Sequence, residues 1–487
     1  MSCIGFPTRH HGGVEPFWSH FEALTRIARP SFGEERAVEH VEAWARQRGY
    51  ATRRDAAGNL VVAVPASAGR EGAPTVVLQG HLDMVCERHP DSPYDPREGR
   101  IRLVRDGEWL TAEGTTLGAD DGVAIAAMLA VAEDPDAAHG PLELLMTVAE
   151  EVGLAGAREL DPALITGSLL LNLDSEEDGT LTVGCAGGTD SVLRIREPRE
   201  PLAGAAQLRV TVSGGRGGHS GGDIAAGRAN AIKALARAVR AAPHARLVAL
   251  DGGASRNAIP RDAAAVVAVA PGEVAAVRAA IEREGERIRD AFRATDPGVR
   301  VTVAAPNGEA AAGAWSAAAT ARLLDLLAIL PAGPIGMSPD FPGVVETSSS
   351  LGVAETEGDR LTLRCLSRSA NDAALADVTD AIAAAARLGG AELERPPGYP
   401  GWRPDLDSPL LATASAVHAR LFGAPPRVTA VHGGLETGLI GAKLPRLDMV
   451  SLGPRIEGAH APGERLDTAS AGRFMRLLTA LLDELSR

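Results

Sequence analysis

An α/β fold with a mostly parallel sheet, interrupted by an inserted α+β domain, is what this sequence predicts. Three observations lead there. Short β-branched runs alternate with helical patterns over residues 1–195, the texture changes over 196–395, and the first style returns over 396–487. Strands that alternate with helices imply a sheet whose neighbours run the same way.

Taken in order, the segment from Trp18 to Trp44 carries apolar residues at helical spacing, and Pro30 and Gly33 break it into two helices. NLVVAVPA and PTVVLQG follow as short runs bounded by Gly and Pro, and read as strands. GVAIAAMLAVAED reads as a helix, and LELLMTVAE and SLLLNLD as further strands. Three of these strands deliver polar residues at their C-terminal ends, the edge where open α/β sheets bind ligands. Beyond residue 203, the alternating AAQLRVTV leads into the Gly-rich SGGRGGHSGG and a long helix over AGRANAIKALARAVRAA. Two βα passages fill the insertion, from Leu208 to about Arg287 and from Val299 to about Leu388. The Pro-rich ERPPGYPGWRPD marks its exit. A helix, the strand RLDMVSLG and the closing helix RFMRLLTALLDELSR then complete the first domain.

A chain of 487 residues exceeds what one core supports, and 45% hydrophobic with 23% charged residues is globular composition. No apolar run approaches bilayer length, so no membrane partner is expected. The opening MSCIGFPTRHHGGVEPFW lacks a basic stretch followed by an apolar one, which predicts a cytoplasmic protein without a secretory signal. Cys3, Cys86, Cys185 and Cys365 lie too far apart for a disulfide framework or a thiolate zinc knuckle, and read as reduced, mostly buried thiols. A formal charge of -14 excludes nucleic acid as an expected partner, since phosphate binding needs a basic surface.

His81 and Asp83 stand two apart in HLD directly after a strand, where extended backbone sends both side chains to one side. That suits a metal-bound imidazole and the carboxylate that orients it, although HxD by itself more often marks an exposed loop. Asp120 and Asp121 sit in TTLGADDGVA before a helix, where an N-cap is the ordinary reading. Glu150 and Glu151 end an apolar strand, and adjacent carboxylates there repel each other unless a cation holds them. Consecutive residues leaving a strand diverge, so one can bind metal while the other faces substrate water. Asp174 ends the next strand in LNLDSE. His460, in GPRIEGAHAPGERL, is a lone loop histidine, ordinarily solvated or a satisfied core residue.

Their convergence on one sheet edge is the stronger signal. Two histidines and several carboxylates make a hard, mixed N/O set suited to zinc, with manganese or cobalt as alternatives. Two divalent ions would be balanced by Asp120, Glu151, Asp174 and a bridging hydroxide, whereas one ion would leave an excess of acid.

The series GHLDMV, TLGADDG, TVAEEVGLAGA, NLDSE, GGRGGHSG, RNAIPR, VVETSSSLG, YPGW and GAHAPGER, in that order from about residue 15 to the C-terminus, resembles the aminoacyl-histidine dipeptidases. These are also called cytosolic nonspecific dipeptidases and belong to the dizinc peptidase family M20. The resemblance implies a zinc-peptidase-like catalytic domain interrupted by a lid domain through which two copies dimerise. It implies hydrolysis of the amide bond of unblocked dipeptides, Xaa-His among them, with two divalent ions as cofactors.

By the same resemblance, His81 and Asp174 hold one ion, Glu151 and His460 the other, and Asp120 bridges them. Glu150 is the general base and Asp83 orients His81. The peptide bond after the bridging Asp is often cis in this family, and relatives often carry Asn where this chain has Asp121, which adds a negative charge near the bridge. His219, in what would otherwise read as a glycine hairpin, donates to the carbonyl oxygen of the scissile bond, from this chain or from a partner subunit. Asn257, Arg368 and Gly434 contact substrate, with Arg368 suited to clamp a free carboxylate in bidentate fashion. His432, Glu436 and Cys86 are expected to be structural. The alternatives are an N-acyl amino acid deacylase of the same family and a non-catalytic metal-binding relative, against which the intact Glu150–Glu151 pair argues.

Overall fold

Residues 14–202, 204–306 and 311–487 are described by a computed structural model. Cys3 lies outside them, while Cys86, Cys185 and Cys365 are buried. The Trp18–Trp44 pattern becomes two helices, Val14–Leu24 and Glu35–Arg48. Gly49 closes the second in the left-handed region, its amide donating to Ala45 O and Arg46 O, a conformation that needs no side chain. Phe17, Phe21, Leu24, Val38 and Val41 are buried.

Two compact units divide the chain. The first takes the residues up to Gly184 with Pro404–Ala430 and Leu435–Arg487, and the second takes Cys185–Arg403 with Val431–Gly434. The second unit reaches outside 196–395 because the strand Gly187–Arg196 pairs along its whole length with Arg360–Ser369 and so belongs to the inserted sheet.

The first unit's sheet has the strand order Ala51–Arg54, Leu60–Val64, Leu142–Thr147, Val76–His81, Leu169–Asn172, Asp448–Ser451, Thr180–Cys185, Arg427–Val431. It is mixed. The strands Leu142–Thr147, Val76–His81, Leu169–Asn172 and Asp448–Ser451 run parallel, and antiparallel pairs flank them. Every residue of Val76–His81 and Leu142–Thr147 is buried, which is why these strands read as apolar runs instead of alternating. The helix Ala119–Glu133 packs on the strand Val76–His81 so closely that a Cβ on Gly80 would stand 2.5 Å from Ala124 Cβ and 2.4 Å from Asp121 Oδ2. The small residues of this helix and Gly80 permit that approach. A four-stranded antiparallel sheet, in the order Ile456–Glu457, Arg465–Asp467, Trp109–Ala112, Leu103–Asp106, also belongs to this unit.

The second unit holds a nine-stranded antiparallel sheet and two successive passages with helices. Ala231–Arg240 and Val274–Ala291 belong to the first passage, and Ala317–Ile329 and Asp372–Gly389 to the second. Their buried faces meet the sheet in one core that includes Ile232, Leu235, Ile281, Leu323 and Ile382. The helix expected over residues 226–242 is shorter, because Asn230 caps it by accepting from the amides of Ile232 and Lys233, while Gly227 ahead of it is left-handed. Among the described residues no helix is long and apolar enough to cross a membrane.

Candidate metal centre

The parallel strands set the stage by ending together. His81 is the last residue of its strand, Glu150 and Glu151 follow the end of Leu142–Thr147 by three and four residues, and Asp174 follows the end of Leu169–Asn172 by two. The centre of the group is Asp120. Its Oδ1 lies 3.0 Å from His81 Nε2 and its Oδ2 lies 3.0 Å from His460 Nε2. Glu151 Oε2 is 3.0 Å from the same His460 nitrogen, and Asp174 Oδ1 is 3.6 Å from His81 Nε2. Glu150 Oε2 stands 3.9 Å from His81 Nε2. Three sets of potential donor atoms each fall within 4.8 Å of one another: His81, Asp121 and Asp174; His81, Glu150 and Glu151; Asp120, Glu151 and His460.

Asp83 fixes much of this arrangement. Its Oδ1 is 3.3 Å from His81 Nδ1, leaving Nε2 to face the carboxylates. Its two oxygens also accept from the amides of Glu150 and Glu151 and from the Ser31 hydroxyl, at 3.0, 3.2 and 2.7 Å. One buried carboxylate therefore orients the imidazole and the backbone of both glutamates. Just ahead of them, Ala149 takes the left-handed region at φ 48° and donates its amide to Glu34 Oε1 at 2.8 Å, so the chain turns sharply as it leaves the strand.

The N-cap reading of the Asp pair applies to its second member. Asp121 Oδ1 accepts from the Ala124 amide at 3.3 Å, and Oδ2 accepts from the His81 amide at 3.1 Å. That leaves Asp120 for the two histidines. The Asp120–Asp121 peptide bond is cis. Burial holds the Asp121 carboxyl well above its usual range, with Asp174 adding to the effect, which favours a neutral acid.

Electrostatics mark the cluster as a cation site. Burial pushes Glu150 well above the usual carboxylate range, His81 opposing and Asp174, Glu151 and Glu436 adding. Burial likewise raises Asp174 to about 6 against the pull of His81. Asp120 resists its burial and is held low by hydrogen bonds with His460 and His81. His460 is pushed up to about 11 by its bonds with Asp120 and Glu151. Carboxylates this close repel one another, and divalent cations relieve that repulsion. The buried Glu151 Oε1 has no hydrogen-bond partner, a further sign that a ligand belongs here. The donor set fits two divalent ions.

The second unit carries the remaining predicted residues. The short strand Gly218–His219 pairs with Ala258–Ile259, which sets Asn257 beside it, and the Ser220 amide donates to Asn257 O at 2.8 Å. The amides of Gly221 and Gly222 donate to His219 Nδ1 at 3.3 and 3.2 Å. Nδ1 thus serves as an acceptor, which in a neutral ring leaves the proton for Nε2. Arg368 is buried, donates to Tyr399 OH at 2.9 Å and approaches His219 Nε2 at 3.5 Å. Its Nε has no partner, and among the described residues no carboxylate pairs with it. Gly434 lies against the Tyr399 ring, where a Cβ would meet Cε2 at 3.0 Å. His432 Nε2 and the Ser348 hydroxyl share a 2.7 Å hydrogen bond. Burial and the nearby Arg368 lower the His432 pKa to about 4, so the ring is neutral.

Several further residues support the centre, although the sequence gives them no role in it. Arg29 donates Nη1 to Leu82 O and Asp83 O and Nη2 to Gly118 O, at 2.9, 2.8 and 2.5 Å. Glu464 accepts from the backbone ahead of Asp120. Below the strand ends, Ser451, Asn172, Gln79, Thr147 and Glu436 form one buried hydrogen-bonded network.

Parallel strand ends that bring His81 and carboxylates together, with His460 beside them, mark a metal site, and family membership makes the protein a metallopeptidase. The chain belongs to peptidase family M20/M25/M40, whose family model matches residues 77–484. It is 38% identical to the cytosol non-specific dipeptidase of Escherichia coli over 478 residues, 97% of this chain and 98% of that protein. The crystal structure of aminoacylhistidine dipeptidase from Vibrio alginolyticus matches with a TM-score of 0.85 at 36% identity, covering 96% of each chain. Aminopeptidase PepT from Bacillus cereus, 17% identical with a TM-score of 0.56 over 98% of this chain and 100% of its own, shares the fold alone.

Proposed function

We propose that this metallopeptidase hydrolyses the amide bond of unblocked dipeptides, Xaa-His among them, with two divalent ions. The Asp120 carboxylate carries the reading, because each of its oxygens faces a different histidine at 3.0 Å, the disposition a bridging ligand needs. His81 and Asp174 would hold one ion and Glu151 and His460 the other. Zinc is the ion such donors favour, with manganese and cobalt as alternatives. When bound, the two ions supply an acidified water and a Lewis acid for the substrate carbonyl.

Glu150 takes a proton from the attacking water and returns it to the leaving amine nitrogen. Its position suits it to the task, since Oε2 stands 3.9 Å from His81 Nε2, at the edge of the proposed ligands. His219 donates from Nε2 to the carbonyl oxygen as negative charge develops there. Arg368, a buried cation with no carboxylate partner among the described residues, would pair with the free carboxylate of the dipeptide, and Asn257 and Gly434 would contact substrate. The names of the Escherichia coli and Vibrio alginolyticus relatives support dipeptides as the substrate class and the cytosol as the location.

The second unit would serve as a lid and as the dimer contact. Exposed Ile329, Ile335 and Met337, at 51%, 49% and 53%, support such a contact, since apolar side chains of this size gather where a partner covers them.

Glu150→Gln tests the base. The variant is expected to keep both ions by elemental analysis and to lose about a hundredfold or more in kcat on dipeptides. Unchanged turnover would remove Glu150 from this role. Acetylated amino acids assayed in parallel separate a dipeptidase from a deacylase.

A further inference from the structure

We infer that Glu464 is a positioning residue that sets the distance between Asp120 and His460, and so governs retention of the ion proposed at Glu151 and His460. The inference rests on the metal-centre reading and adds a residue to it.

Glu464 is buried at 2% exposure and spends its carboxylate on backbone. Oε2 accepts from the amides of Leu117 and Gly118 at 2.8 and 3.0 Å. Oε1 accepts from those of Ala119 and Asp120 at 2.7 and 3.3 Å. These four amides lie at the entrance to the helix Ala119–Glu133, whose normal hydrogen bonding begins only after Asp121, because Asp120 and Asp121 have non-helical backbone angles. Leu117, Gly118 and Ala119 are buried, so without Glu464 their donors would face neither water nor protein.

Glu464 is itself anchored to the strand that leads to the same loop. Its carbonyl accepts from Thr111 Oγ1 at 2.8 Å, and the strand Arg465–Asp467 pairs with Trp109–Ala112. Four residues upstream on its own loop stands His460, held at a left-handed φ of 66°. One side chain therefore joins the segment bearing the bridging carboxylate to the segment bearing the second histidine. Gly118 sits inside the joint at φ 71°, where a Cβ would meet Arg29 Nη2 at 2.6 Å and Met84 Sδ at 2.7 Å, so the loop has no slack on its other side.

His81 depends on a different support, because Asp83 holds it directly. Loss of Glu464 should thus affect the two ions unequally. That asymmetry separates positioning from a general loss of structure.

The test uses the full chain as wild type, Glu464→Ala and Glu464→Gln, reloaded with zinc. Chelator competition gives the two dissociation constants, and circular dichroism with thermal melting of the metal-free forms reports the fold. Wild type should take up two ions. Both variants should lose roughly 10- to 100-fold in affinity for one ion, the range seen when groups supporting metal ligands are removed, and distinctly less for the other, which shares Asp120 but keeps His81 on Asp83. Equal weakening of both ions, or no weakening alongside a lowered melting temperature, would overturn the inference and leave Glu464 a purely structural residue. Wild type that takes up no zinc would instead overturn the underlying metal reading.

A measurement on the wild type covers variants that do not fold. In metal-free protein the amides of residues 117–120 should already exchange slowly with deuterium, since a carboxylate and not an ion holds them. Fast exchange that slows only on adding zinc would overturn the inference.

Discussion

Glu436 shows how a single buried side chain couples this fold to pH. Its Oε2 accepts from Gln79 Nε2 at 2.6 Å and Thr147 Oγ1 at 2.5 Å, while Oε1 is buried without a partner. Burial pushes its carboxyl up to about 7, with His81 and the Thr147 bond opposing and Asp174 and Asp83 adding. An ordinary glutamate gives up its proton near 4.5. Between that value and about 7 the unfolded chain has released this proton and the folded chain keeps it. Stability therefore falls as pH rises through the window and levels off above it. At about 1.4 kcal/mol per pH unit, the loss from this group is about 3 kcal/mol. Glu436→Gln removes the titration, so denaturant midpoints of the metal-free variant should fall less than those of wild type between about pH 5 and about pH 8. A variant with the wild-type slope would mean that Glu436 is already ionised in the fold. Glu436, expected to be structural, lies in a hydrogen-bonded network beneath the strand ends.

At the scale of elements, the strands and their ends were legible because burial on both faces leaves apolar runs that stop at polar residues. HLD, AEE and LDS follow such runs, and the structure brings their side chains together with Asp120 and His460. The place of Asp120 between the histidines came only from the resemblance, and that of Asp121 at the helix start was not legible, since both aspartates suit a cap and only the backbone angles assign them. Glu464 stands in GAHAPGER, but its role was invisible for a related reason. Its partners are backbone amides more than three hundred residues earlier, and backbone donors leave no pattern in a sequence. The short strands around Trp109 and Arg465 have too few residues to show a period. The shortened helix at Ala231–Arg240 follows from a cap at Asn230, inside an Ala-rich stretch that reads as continuous helix.

Gly80 tests the packing of the helix Ala119–Glu133 on the strand Val76–His81. The contacts its Cβ would make, 2.4 Å to Asp121 Oδ2 and 2.5 Å to Ala124 Cβ, cannot be met without moving the helix start. Gly80→Ala should destabilise the metal-free protein by about 1–3 kcal/mol in denaturant unfolding, the usual cost of overpacking. An unchanged midpoint would show that the helix yields freely.

For the whole molecule, the path of the chain explains why the candidate centre could be inferred only from scattered residues. His81, Asp120, Glu151 and Asp174 come from the first part of the first unit, and His460 comes from a segment that returns after the inserted unit. The C-terminal stretch also brings the strand Asp448–Ser451 into the parallel centre of the sheet, together with Glu436 and Glu464. The fold and the family were therefore readable from the order of motifs along the chain, whereas the supporting contacts needed coordinates. Part of the net charge of -14 resides in this cluster, where bound cations would offset it.

Asp120 is proposed to stand between two ions. The most direct measurement is anomalous diffraction at the zinc edge from crystals of zinc-loaded protein. Two peaks are expected, about 3.5–4 Å apart, one beside His81 and Asp174, the other beside Glu151 and His460, with one Asp120 oxygen on each. A single peak, or two peaks that leave Asp120 uncoordinated, would contradict the account.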